Sequence, residues 1–455
     1  MPTDVARLLL FVAALSRATL AAEVPPASAV TVTVAAAPAQ TLAGFGCSLV
    51  DLSRAKLPAA ARAEMFDRVF GDLHMNVLRL WADSGANRGV AQMKSRFYAT
   101  YVDSGVIADA QQRGVTTLLL APARGERPPT EPIAEYAAKL ATFIADVQAE
   151  RGIAIGATGI ANEPSGFTPP QMAEAVRRLR QELDARGLGK VVIIAPEWAS
   201  ADGAALRSIS ALKADPAAWA ALGAIATHSY NMAATSQFSA TIAGTDKQYW
   251  MTEASDNGHE GEADVNRAAS ITARFLNDLN HGVTHWIYFI GFHDSPDIAK
   301  DRDNATKLMV YDYRQQRIYR HLKYDWFRQL RAALPNGSRL YPVSARPGGD
   351  LAFSYGQKPW LNAAAARRPD GGWSLAMVNL SGVTPDSGIS QWHPAAALNV
   401  TWQVTPLAGE GATTWNVFRS DATQRFAPAG QAMLTNGAVT LTLEPGELIT
   451  LVSQG

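Results

Sequence analysis

The sequence predicts an α/β protein, a (β/α)8 (TIM) barrel followed by an antiparallel β-sandwich, and three observations predict it. From about residue 42 to residue 330, short apolar or β-branched runs alternate with amphipathic stretches, which is how a parallel sheet covered by helices reads. There are eight such runs, and the length they occupy suits a closed barrel. Past Pro335 the texture changes to short alternating runs separated by turn residues. A doubly wound open sheet would usually carry a glycine-rich phosphate turn after its first strand, and Gly44-Phe45-Gly46 lacks that spacing.

Taken in order, the strands are read at residues 42–50, 76–81, 116–121, 153–161, 191–196, 224–230, 248–252 and 285–290. Helices are read between them at 58–70, up to about 114, at 131–150 and at 169–186, the last running 313–330. The helix at 169–186 carries its own punctuation. Thr168 caps it, Pro169 takes the first helical position and Gln171 completes a capping box. Met172, Val176, Leu179 and Leu183 form one apolar stripe, and Gly187 supplies a left-handed stop. Within 336–455, the turn signals Asn336-Gly337-Ser338, Pro369-Asp370-Gly371-Gly372 and Thr435-Asn436-Gly437 bracket strands such as 374–379, 398–404 and 438–443. Thr31-Val32-Thr33-Val34 precedes the barrel without a helix of its own and is expected to pair with that sandwich. The expected organisation is a signal peptide at 1–22, an N-terminal strand segment at 23–40, the barrel at 41–335 and the sandwich at 336–455.

The leader is read from Arg7, the apolar run Leu8 to Leu15 and the small residues Ala18 to Ala22, the order of a secretory signal. Export, to the medium or the periplasm, is therefore expected. The 41 Lys+Arg balance 41 Asp+Glu, so there is no electrostatic footprint for nucleic acid or acidic membranes. One cysteine excludes an intrachain disulfide framework and any multi-thiolate metal site. No other stretch is long and apolar enough to cross a bilayer. Asp294, Asp297, Asp301 and Asp303 cluster after strand 8 but lack the spacing and glycine of a calcium loop. No cofactor and no metal are expected, and the protein is expected to be a monomer. Asn304, Asn336, Asn379 and Asn399 each begin a glycosylation sequon.

The active site of such a barrel lies at the C-terminal ends of its strands. Strand 4 ends in Ala161-Asn162-Glu163-Pro164 and strand 7 in Trp250-Met251-Thr252-Glu253-Ala254. A lone glutamate is usually a solvated surface group; two at strand ends across one barrel suit glycoside hydrolysis, where one carboxyl protonates the leaving oxygen and the other attacks or activates water. Arg79 at the end of strand 2, with His228 and Tyr230 at the end of strand 6, is expected to donate to Glu253 and keep it ionised. Glu163 is expected to hold its proton to higher pH, and Asn162 to bond a sugar hydroxyl. Trp81, Trp198 and Trp286, near strand ends, are expected to stack on pyranose rings, against the alternative that each is a core tryptophan.

The Asn-Glu-Pro at Glu163, the strand-7 Glu253 and the supporting Arg79, His228, Tyr230 and Trp286 resemble the site of clan A glycoside hydrolases. Within that clan, Gly44-Phe45-Gly46-Cys47-Ser48 and a sandwich built from both ends of the chain are similar to glycoside hydrolase family 30. Cys47 stands where that family has a second glycine. The resemblance implies Glu163 as acid/base and Glu253 as nucleophile of a retaining enzyme, with carboxyls about 5–5.5 Å apart. Arg124 and Arg127, after strand 3, are candidate holders of an acidic sugar, against the alternative of a solvated loop. The expected function is a secreted, endo-acting retaining β-glycoside hydrolase on a polysaccharide such as xylan, β-glucan or β-galactan. The alternatives are an exo-β-glycosidase, glucosylceramidase-like or β-xylosidase-like, and a non-catalytic carbohydrate-binding barrel.

Overall fold

A computed structural model describes residues 29–50, 52, 56–85, 88–123, 131–230, 232–353, 359–384 and 393–454. The expected signal peptide, Arg124 and Arg127 lie outside the described residues. Eight parallel strands close into a barrel: β1 Gly44–Ser48, β2 Val77–Ala82, β3 Thr117–Pro122, β4 Ala157–Thr158, β5 Val192–Trp198, β6 Ala224–His228, β7 Gln248–Ala254 and β8 His285–Tyr288, with β8 pairing back onto β1. Closure is tight at the first strand, where a Cβ on Gly46 would lie 2.1 Å from the Val77 carbonyl oxygen. Only glycine lets β1 approach β2 this closely.

Inward-facing Val77, Leu119, Ala157, Ile194, Ala224, Ala226, Trp250 and Ile287 fill the barrel. Trp250 stacks on His285 with ring centroids 3.9 Å apart. These are the packed layers that make such a barrel a core and not a pore. The opposite faces of the strands bury against the helices in a second, larger core. Helix Pro169–Ala185 has the predicted capping box, with the Thr168 hydroxyl and Gln171 side chain bonded reciprocally across the first turn.

Two elements differ from expectation. Strand 4, read at 153–161, pairs regularly only over Ala157–Thr158; past it Gly159 N–H still donates to the Leu120 carbonyl at 3.0 Å and Asn162 N–H to the Pro122 carbonyl at 2.9 Å, before the left-handed residue Glu163, whose φ is 48°. The helix read at 313–330 begins only at Leu322 and runs to Ala333. Ahead of it, Met309–Asp312 and Arg317–Arg320 form a hairpin that continues a strand at Phe292–Ser295. The alternation Arg317-Ile318-Tyr319-Arg320 suits a strand lying on the rim.

Beyond the barrel, two sheets face each other. One orders Val343–Arg346, Ala29–Val34, Leu398–Val404 and Ala438–Leu443. The N-terminal strand runs antiparallel to the first of these and parallel to Leu398–Val404. The other has seven strands, from Gln40–Thr41 to Ala427–Leu434. Val32, Trp402, Trp415 and Leu375 meet in the core between them. Gln329, on the last barrel helix, donates to the Phe418 carbonyl at 3.0 Å and accepts from Ser420 Oγ at 2.6 Å, tying barrel to sandwich. Asn304 and Asn379 are fully buried, with Asn304 bonded to Glu260 and Asn379 to the Ala396 and Leu443 carbonyls. Two of the four sequons are thus structural asparagines in the folded chain.

Candidate active site

Irregularities at the C-terminal rim decide which side chains face the mouth of the barrel. On β7 one extra residue lies between Met251 and Ala254, breaking register with both neighbours. Such a bulge re-aims a side chain, and Glu253, one step out of phase with inward Trp250, turns into the mouth. On β5 an extra residue between Pro196 and Trp198, with φ of 59° at Glu197, does the same for Glu197. Glu163 follows β4 with a left-handed backbone, its N–H donating to the Glu197 carbonyl at 3.1 Å.

These bends bring most of the expected residues together. Arg79, fully buried, donates from Nη1 to Glu253 Oε2 at 2.5 Å and from Nη2 to Asn162 Oδ1 at 2.7 Å. The Tyr230 hydroxyl donates to the other Glu253 oxygen at 2.6 Å. His228 Nδ1 lies 3.1 Å from Glu163 Oε1, so this imidazole serves Glu163 and not Glu253 as expected. One oxygen of Glu163, one of Glu253 and a ring nitrogen of His228 all lie within 4.8 Å of one another.

Burial pulls the Arg79 guanidinium down, and the carboxylates, Glu253 foremost, more than restore it, so it stays charged. Tyr230 is pushed up by burial and by the Glu253 charge, so its phenol remains a donor. Glu163 runs against expectation: the hydrogen bond with His228 holds its carboxyl below the ordinary range, outweighing partial burial. Two carboxylates and an imidazole also form a ligand set for a divalent ion. Here a cation would face the fixed charge of Arg79 on Glu253, and both Glu253 oxygens already accept from protein donors. The Asp294–Asp303 cluster is likewise spoken for: Asp294 pairs with His293 at 2.7 Å, Asp297 with Arg314 at 2.7 Å and Asp301 with Lys307 at 3.6 Å.

Of the three tryptophans, only Trp81 belongs to the rim. Its ring lies under the Arg79 guanidinium at 5.0 Å and meets Phe289 edge-on at 6.2 Å. With Asp83, Arg96, Phe97 and Tyr101 it lines a cavity of about 230 Å³. Trp286 is a correction. It is fully buried, stacked on Phe45 and packed against Phe275 and Phe327, with its indole N–H on Asp278 at 2.9 Å. Strand parity explains this: Trp286 faces outward, whereas Ile287 and, two residues on, Phe289 face in. Trp198 is a second correction, for its indole donates to Ser208 Oγ at 2.9 Å on helix Gly203–Ala214 and packs on the outer core.

Sequence reasoning missed two rim residues. Phe289, half-buried beside Trp81, is one. Glu197 is the other: fully buried, with Oε1 3.3 Å from Arg79 Nη2. Its signal was a glutamate directly after the apolar run at 191–196. A Cβ on Gly159, just past β4, would lie 1.7 Å from Glu197 Oε2, so the glycine makes room for that carboxyl.

No protein-family model matches the chain, and no curated protein matches it in sequence. Solved structures do match in shape. The catalytic domain of GH30 xylanase C from Talaromyces cellulolyticus is 16% identical, with a TM-score of 0.67 over 93% of this chain and 100% of that one. The family 30 subfamily 8 xylanase Xyn30A from Clostridium acetobutylicum is 18% identical, with a TM-score of 0.66 over 94% and 100%. The endo-β1,6-glucanase BT3312 is 13% identical, with a TM-score of 0.61 over 95% and 96%. The chain has the barrel-and-sandwich fold of the two glycoside hydrolase family 30 xylanases.

Proposed function

We propose that this protein is a secreted retaining β-glycoside hydrolase that cleaves within a polysaccharide. The observation that carries the reading is the pair Glu163 and Glu253, with oxygens within 4.8 Å of each other across the barrel mouth. That approach supports the spacing of retaining enzymes, about 5–5.5 Å between carboxyl groups, over the roughly 6.5–9.5 Å of inverting ones. Glu253, ionised against Arg79 and oriented by Tyr230, attacks the anomeric carbon. Glu163 gives its proton to the departing oxygen, then takes one from the water that releases the glycosyl-enzyme. Its side chain is 32% exposed; a bound sugar displaces that water and favours the protonated form. The Asn162 amide, held through its oxygen by Arg79, presents its N–H2 to a sugar hydroxyl. No step asks for a cofactor. The xylanases and the endo-glucanase among the structural neighbours support internal cleavage.

The test is Glu253→Ala on a panel of β-linked glycans. Turnover should vanish, and added azide should restore it as the α-linked glycosyl azide. Activity that survives the substitution largely intact overturns the assignment. Early products of mixed length support endo action; monosaccharide alone assigns the protein as an exo-glycosidase.

A further inference from the structure

Arg79 carries one positive charge and reaches two buried carboxyl groups. Arg79 and Glu197 are 0% exposed and Glu253 is 4%, so water neutralises none of them. His228, facing the same space from β6, is hydrogen-bonded to Glu163. Two anions on one guanidinium in a dry site would leave a charge uncompensated, at a cost of several kcal/mol. One of the two acids therefore keeps a proton. Glu253 has the shorter contact, 2.5 Å against 3.3 Å, and a second donor in Tyr230. Glu197 Oε2 has no hydrogen-bond partner and is lodged against Gly159, away from the guanidinium.

We propose that Glu197 is a proton-carrying positioning residue, whose neutral carboxyl accepts from Arg79 through Oε1 and fixes the guanidinium so that its charge goes undivided to Glu253. The proton resides on Oε2, the oxygen that is turned away from the guanidinium. Burial acts in the same direction, raising the Glu197 carboxyl against the pull of Arg79 and His228. The effect on catalysis rests on the glycosidase reading; the protonation state does not.

Glutamine reproduces the acceptor and donor pattern of a protonated carboxyl, so the decisive comparison is Glu197→Gln with Glu197→Ala. Glu197→Gln should keep kcat and the wild-type pH profile. Glu197→Ala frees Arg79 and should lower kcat by about 100-fold with KM little changed. A glutamine variant as impaired as the alanine one, or with a displaced pH profile, overturns the proposal, as does an alanine variant with wild-type kcat. Infrared difference spectra give a readout that needs neither activity nor the alanine variant. The carbonyl stretch of a protonated, water-excluded carboxylic acid should be present at neutral pH, absent in Glu197→Gln and retained in Glu260→Gln. A spectrum unchanged by Glu197→Gln refutes the proposal. A wild-type protein that cleaves no glycan refutes the glycosidase reading alone.

Discussion

Removing the two carboxyl groups at Arg79 singly and then together distinguishes a guanidinium with one usable carboxylate from one with a second in reserve. Glu253 holds the charge at 2.5 Å, and Glu197 waits in neutral form at 3.3 Å. At an effective dielectric of about 20, opposite charges roughly 4 Å apart attract by about 4 kcal/mol. Glu253→Gln deletes that attraction, but Glu197 then ionises and replaces most of it, so the net loss is a fraction of that figure. Glu197→Gln exchanges one neutral hydrogen-bonding group for another and should cost under about 1 kcal/mol. The double variant leaves a fully buried guanidinium with no anion, which costs about 3–5 kcal/mol. The double loss should therefore exceed the sum of the single losses by about 2 kcal/mol. Urea unfolding at pH 7, followed by circular dichroism, measures all four corners of the cycle. Additivity to within about 0.5 kcal/mol would refute the reasoning, since Glu197 would then not be taking up the charge.

Three further outcomes are expected. Glu163 must be protonated to act as acid, so the alkaline limb of kcat/KM follows its titration in the free protein. Because His228 holds that carboxyl down, His228→Asn should move the limb to higher pH; a pH–rate profile with the limb unmoved refutes the coupling. Trp286→Phe should leave KM unchanged and destabilise the fold by about 1–3 kcal/mol, by stripping buried Asp278 of a donor; a raised KM with intact stability would return Trp286 to the cleft. Glu260, buried against Lys323 at 2.5 Å, is pushed up to about 8 by burial. Its folded value exceeds its unfolded one, so its contribution is complete below about pH 4.5 and lost as pH rises toward 8. The stability of the wild type relative to Glu260→Gln, from urea unfolding at pH 5 and pH 8, should accordingly fall; a constant difference refutes this.

The barrel was legible because its signals are periodic and local. Uniformly apolar strands, each followed by a striped helix, specify a parallel sheet covered on its outer face. The Thr168–Gln171 box needed nothing beyond four residues to place a helix start. The site was legible wherever a polar residue kept step with its strand: Arg79 and Trp81 continue the inward phase of Val77 on β2, and His228 continues that of Ala224 and Ala226 on β6. The same rule, applied to β8, would have separated Trp286 from the cleft, since it alternates with inward Ile287. The hairpin at 309–320 was hidden because Tyr311, Ile318 and Tyr319 also satisfy a helical spacing, and only contact with Phe292–Ser295 decides between the two.

Glu197 was hidden for a different reason. Period-2 reasoning assumes an unbroken strand, and this rim departs from that at the positions that bear charge. A bulge puts Glu253 out of phase with Trp250, and left-handed backbones carry Glu163 and Glu197. Such conformations cost of order 1–3 kcal/mol each and persist only where the surroundings fix them. Here the fixing contact crosses strands: the carboxyl of Glu197 fits because residue 159 has no side chain. A glycine late in one strand and an acid one step out of phase late in the next are each unremarkable when read along the chain. Once parallel pairing sets them side by side they form one feature, so strand order has to be assigned before residues of this kind can be found.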